Sequence, residues 1–129
     1  VSPDGRWLAL SGSTADRQGG TGTTVVKMRS LDGAGSTELV RVERPLWIML
    51  AGWSQAGNAL LFRRFPGKEP TGLWSVPVTG GEPHDLGLNL PALREIRVHP
   101  TEPRLAFTAG SAYFEIWVMQ KFLPENPSH

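Results

Sequence analysis

The stretch Gly52-Trp53-Ser54-Gln55-Ala56-Gly57 lies one residue away from the G-x-S-x-G pattern that presents a serine as a nucleophile. That chemistry needs a sharp strand-to-helix turn, backbone N–H groups placed to hold an oxyanion, and a histidine within reach. Here the second glycine comes one position late. Leu60-Leu61-Phe62 followed by Pro66-Gly67 then reads as a short strand entering a turn, with no room for the helix. Ser54 is therefore expected to be part of a turn. The other residues able to do chemistry are no better placed. Gly19-Gly20-Thr21-Gly22-Thr23-Thr24 is glycine-rich, but a phosphate loop needs a lysine and a following helix, whereas Val25-Val26 starts a strand. The segment is expected to be a flexible insertion between strands. His84, His99 and His129 are spaced to fit no local zinc motif, and Asp4, Asp16, Asp32 and Asp85 all lie by turns, where a carboxylate caps backbone N–H groups. No catalytic, cofactor-binding or metal-binding residue is assigned, and no enzymatic activity is expected.

The elements that must position these residues follow from composition. The 129 residues, 40% of them hydrophobic, are one domain's worth of material, broken up by 15 glycines and 11 prolines. Ser111 to Leu123 is the longest run free of both, and its centre, Tyr113-Phe114-Glu115-Ile116-Trp117-Val118-Met119, is aromatic and β-branched. Short strands throughout are the expectation. A net charge of +1 forms no basic stripe for nucleic acid or an anionic membrane, and Arg63-Arg64, Arg41 and Arg44 read as solvated strand ends. The chain has no cysteine, hence no disulfide framework or thiolate metal site. No apolar run reaches the roughly 18 residues of a membrane span, and no signal peptide is expected within this stretch. Val1-Ser2-Pro3-Asp4-Gly5 begins inside a motif, so the chain is expected to be a piece of a longer protein.

The motif repeats. Displaced by 52 positions, Ser2-Pro3-Asp4-Gly5-Arg6-Trp7-Leu8-Ala9-Leu10 falls on Ser54-Gln55-Ala56-Gly57-Asn58-Ala59-Leu60-Leu61-Phe62, and 45 further on the slot holds His99-Pro100-Thr101-Glu102-Pro103-Arg104-Leu105-Ala106-Phe107. Proline pre-sets the first central dihedral of such a turn, aspartate bonds the backbone ahead of it, and glycine takes the closing conformation. A second apolar segment follows each turn: Val25-Val26-Lys27-Met28, Leu73-Trp74-Ser75-Val76 and Ile116-Trp117-Val118-Met119. In the first two repeats a glycine turn then leads to Glu38-Leu39-Val40 or His84-Asp85-Leu86, and apolar segments near 47–53 and 93–98 precede the second and third turns. Four strands per repeat, at a period of 45 to 52, is the signature of a propeller blade. Trp7, Trp47, Trp53, Trp74 and Trp117 are expected to be packing residues between blades.

These segments, with Leu73-Trp74-Ser75-Val76-Pro77-Val78-Thr79-Gly80-Gly81-Glu82-Pro83, resemble TolB-like (WD40-like) β-propeller repeats. The final Glu115-Ile116-Trp117-Val118-Met119-Gln120-Lys121-Phe122-Leu123-Pro124 is similar to the C-terminal end of propellers attached to bacterial receptor-type serine/threonine kinases and winged-helix regulators. The resemblance implies a periplasmic or extracytoplasmic binding or sensor module that meets a protein or small ligand on a propeller face. It also admits the propeller of a prolyl-oligopeptidase-like or tricorn-like serine peptidase, gating substrate to a separate catalytic domain.

The expected fold is all-β: antiparallel propeller blades at 1–45 (lacking its first strand), 46–91 and 92–124 (lacking its outer strand), with a tail at 125–129. The strands of the second blade are expected near 47–53, 58–64, 72–78 and 83–87, and those of the third near 93–98, 103–109 and 113–120. Missing upstream blades of the same chain are an expected partner; nucleic acid and direct membrane insertion are not. Three blades leave two open flanks, so exposed apolar strand faces and an unpaired edge at 113–120 are expected, together with oligomerisation or marginal folding of the isolated chain.

Overall fold

A computed structural model describes residues 1–15, 21–33, 35–66 and 72–111. The described residues form nine strands and no helix: β1 (Trp7–Ala15), β2 (Gly22–Ser30), β3 (Ser36–Glu43), β4 (Trp47–Trp53), β5 (Ala59–Phe65), β6 (Leu73–Pro77), β7 (His84–Asp85), β8 (Arg94–Val98) and β9 (Leu105–Thr108). They make three antiparallel sheets in chain order, β1-β2-β3, β4-β5-β6-β7 and β8-β9. The protein is all-β, and the four strands of the middle sheet lie within a residue or two of the expected bounds. The expected strand at 113–120 and Trp117 lie outside the described residues.

Period-two alternation explains how the sheets stack. In β5, Leu60 and Phe62 point to the first sheet and join Val26, Val40, Ile48 and Val76 in one buried cluster. Leu61 points the other way and joins Leu73, Leu93 and Ile96 in a second. Three consecutive buried residues, Leu60, Leu61 and Phe62, are the mark of a strand covered on both faces. Bulges help to keep this pattern: Leu39 is the extra residue opposite Val26/Lys27, and Ala51 lies opposite the step between Phe62 and Leu61. Leu50 and Trp53 thus both pack on the first cluster, while Ala51 packs on the second.

Among the described residues, the outer sheets are covered on one face only. In β2 the even positions Thr24, Val26, Met28 and Ser30 are buried, and the register puts Leu8, Leu10, Val25, Lys27, Arg29 and Arg41 on the opposite face. That face mixes apolar and charged side chains, with exposed Leu10 paired across the strands with Lys27 and Leu8 with Arg29. Leu105 and Phe107 on β9 remain 39% and 38% exposed. The expected insertion at 19–24 is corrected over its second half, while Gly19 and Gly20 lie outside the described residues. Gly22, Thr23 and Thr24 belong to β2 and pair with Ala15, Thr14 and Ser13, because two β-branched threonines suit an extended ladder. Phe62→Ala should cost about 3–5 kcal/mol, since it opens a cavity between two sheets. Leu10→Ala, at a position 46% exposed on an uncovered face, should stay within about 0.5 kcal/mol. Urea melts of both variants check the contrast.

Candidate functional site

The three related turns close in the same way. The first residue of each donates its backbone N–H to the carbonyl five residues on: Ser2 to Trp7 at 2.8 Å, Ser54 to Ala59 at 2.8 Å and His99 to Arg104 at 2.9 Å. In the first two, the serine hydroxyl also accepts the return N–H, from Trp7 at 2.9 Å and from Ala59 at 3.1 Å. Gly5 and Gly57 then take φ of 75° and 70°, a left-handed conformation that glycine adopts without a Cβ penalty. The third turn has neither serine nor glycine. There the His99 imidazole accepts inside the turn, Nδ1 receiving the N–H of Thr101 at 3.3 Å and of Glu102 at 3.0 Å, while the return N–H of Arg104 goes to the Glu102 carbonyl at 2.7 Å. Adjacent turns also touch. A Cβ on Gly57 would lie 3.2 Å from the Pro3 ring, and the Gln55 amide donates to the Thr101 carbonyl at 2.9 Å. The three turns therefore follow one another along a single rim of the stacked sheets.

Ser54 is thus placed by the structure in turn chemistry: besides accepting from Ala59, its hydroxyl donates to Asn58 Oδ1 at 2.9 Å. The aspartates behave as expected of turn residues. Asp4 accepts from the Ser2 hydroxyl and the Arg6 backbone, Asp32 from the Ser30 hydroxyl, and Asp85 from the Gly87 N–H at 2.8 Å. Asp16 and His129 lie outside the described residues, and no group of three or more potential metal ligands occurs among those described.

What the residue types did not announce are the spaces between sheets. A cleft of about 270 Å³ opens between the first and middle sheets, with buried Val40 and Phe62 and half-buried Val42 as its apolar lining. Trp74 and Arg64 form one side, where the guanidinium carbon sits 4.8 Å from the indole centre, a cation–π geometry. The Trp74 indole N–H is buried with no hydrogen-bond partner among the described residues. A second hollow of about 260 Å³, bordered by Thr21, Gly22, Thr23, Glu43 and Arg44, has no aromatic wall. The first cleft is the better binding feature, because apolar lining beside a few polar groups gives both affinity and orientation.

The arginines need a correction. Arg41 is exposed at its strand as expected, and Glu38 grips it through two hydrogen bonds of 2.7 Å that raise its pKa. Arg63 and Arg64 are not simply solvated ends. They close a strand that neighbours cover on both sides, so Arg64 lies over Trp74 in the first cleft while Arg63 turns to the third sheet. Trp53 and Trp74 pack on the first cluster, and Trp47 stacks on Phe65 with ring centres 3.9 Å apart.

The first turn carries a pH signature. The Ser2 hydroxyl above all, with the Arg6 backbone and guanidinium, lowers the Asp4 carboxyl from 3.8 to about 2. A carboxyl depressed in the folded state contributes stability that is complete above its unfolded value and is lost as pH falls through its folded one. The chain should therefore lose a component of thermal stability between roughly pH 4 and pH 2, and Asp4→Asn should flatten that part of the profile. Calorimetry across this range reads both.

No protein-family model, curated protein or solved structure matches this chain.

Proposed function

We propose that the chain is a run of antiparallel β-propeller blades serving as a non-catalytic protein- or ligand-binding or sensor module of a larger bacterial extracytoplasmic protein. The observation that carries this reading is the shared rim. Three copies of one turn, each joined to the next by direct contact, head three sheets stacked face to face in chain order. Radial blades around an axis would produce that arrangement, because each blade covers its neighbour's face and sets its first hairpin on the same side of the disc. The blades proposed on this reading span 1–45, 46–91 and 92–124. The binding role is supported by the inter-sheet cleft at Trp74 and Arg64, and the extracytoplasmic setting by the TolB-like character of the repeats.

Two measurements test the proposal. Electron cryomicroscopy of the parent polypeptide should show a disc of radial sheets around a channel; an open ribbon or a flat sandwich would refute the propeller. Chromogenic ester and peptide substrates should not be turned over, and Ser54→Ala should cost about 1 kcal/mol of stability through its lost hydrogen bond. Turnover abolished by Ser54→Ala would overturn the non-catalytic reading.

A further inference from the structure

The cleft between the first and middle sheets borders an apolar floor with charge of both signs. Alternation along β3 turns Val40 and Val42 toward the middle sheet, while Arg41 between them faces away and is gripped by Glu38. Phe62 lies beneath and Trp74 forms a wall. Arg64 is half-buried there, its guanidinium carbon 4.8 Å from the centre of the Trp74 ring. A cation over a ring is held through its charge, and the guanidinium N–H donors lie in the plane of the group, so this contact fixes the cation at the wall without consuming them. Glu82 and Pro83, from the connection between β6 and β7, complete the border, and Glu82 is exposed at the mouth.

Size and charge together narrow the ligand. The volume of about 270 Å³ exceeds the roughly 150 Å³ that admits benzene and falls just short of the roughly 300 Å³ at which pockets for drug-sized molecules begin. One ring with a short polar head fills such a space. An anionic head alone would meet the like charge of Glu82, and a cationic head alone that of Arg64; a head carrying both charges meets a partner for each. We propose that this cleft binds a free aromatic α-amino acid, with its ring against Phe62, Val42 and Trp74, its α-carboxylate on Arg64 and its α-ammonium on Glu82. The guanidinium fork suits a carboxylate, and both contacts are charge-assisted hydrogen bonds. The inference rests on the reading of the chain as a binding module and gives that module a ligand class.

The test titrates the 129-residue chain at neutral pH with phenylalanine, with phenylpropionate, which keeps only the carboxylate, and with phenethylamine, which keeps only the ammonium. The readout is the NMR signal of the Trp74 indole N–H, which is buried at the cleft wall and is assigned through Trp74→Phe. A ligand of this size bound at ordinary efficiency per atom gives a saturable shift with a Kd of about 5 mM or tighter. Each analogue should bind about tenfold more weakly, for the loss of one charge-assisted bond. Arg64→Gln should bring phenylalanine to the level of phenethylamine, and Glu82→Gln, at an exposed position that leaves the fold intact, to that of phenylpropionate. No saturable shift with phenylalanine, an analogue that binds as tightly as phenylalanine, or an unchanged affinity in either variant would overturn the proposal. A chain that ignores phenylalanine while its parent forms a radial disc keeps the propeller module and loses this ligand; phenylalanine binding in a parent that forms an open ribbon keeps the ligand and loses the propeller.

Discussion

The middle sheet has no free face, and the rest of the structure depends on that constraint. Leu60 and Phe62 must find partners on one side and Leu61 and Leu73 on the other, so the sheet can exist only between two neighbours. Each neighbour needs to satisfy only one face toward it and can carry polar residues on the other, as Lys27, Arg29 and Arg41 show. Burial of apolar area contributes about 25 cal/mol per Å², and here most of it lies between sheets rather than within any one of them. The sheets therefore stabilise one another, and the register that aligns their apolar residues is set at their ends.

The turns set that register. A backbone bond across five residues, together with an acceptor side chain at the first position, starts the ladder of each following strand at a defined residue. The offset between repeats made this legible in the sequence, because Ser2 and Ser54 are chemically identical and the apolar residues behind them keep their phase. His99 was less legible. The absence of serine and glycine marks that turn as divergent, yet the residue type alone does not say that an imidazole nitrogen will accept the N–H groups of Thr101 and Glu102 inside it.

The middle sheet was legible almost strand by strand, since Trp47–Trp53, Ala59–Phe65 and Leu73–Pro77 are β-rich runs bounded by turn residues. The charges were not. Arginine pairs at strand ends read as solvated, and Arg41 obeys, but the fate of Arg63 and Arg64 depends on which neighbour covers each face. Alternation sends them to opposite faces of the sheet, one onto the Trp74 ring and one onto the Leu93 carbonyl. The start of β2 at Gly22 was hidden for a related reason: glycine and threonine look like loop until a partner strand, here Thr14 and Ala15, offers a ladder. Tertiary pairing overrides local composition at such places.

Amide hydrogen exchange tests the central claim that two-sided burial of the middle sheet holds the fold together. The amides of β5 from Leu60 to Arg63 should exchange slowest, near the global unfolding limit. Those of β1, at the edge of a sheet covered on one face, and of β9, whose Leu105 and Phe107 are partly exposed, should open by cheaper local fluctuations and exchange faster. Protection in β1 or β9 equal to that of β5 would mean that stability is spread evenly over the sheets, and would contradict the account.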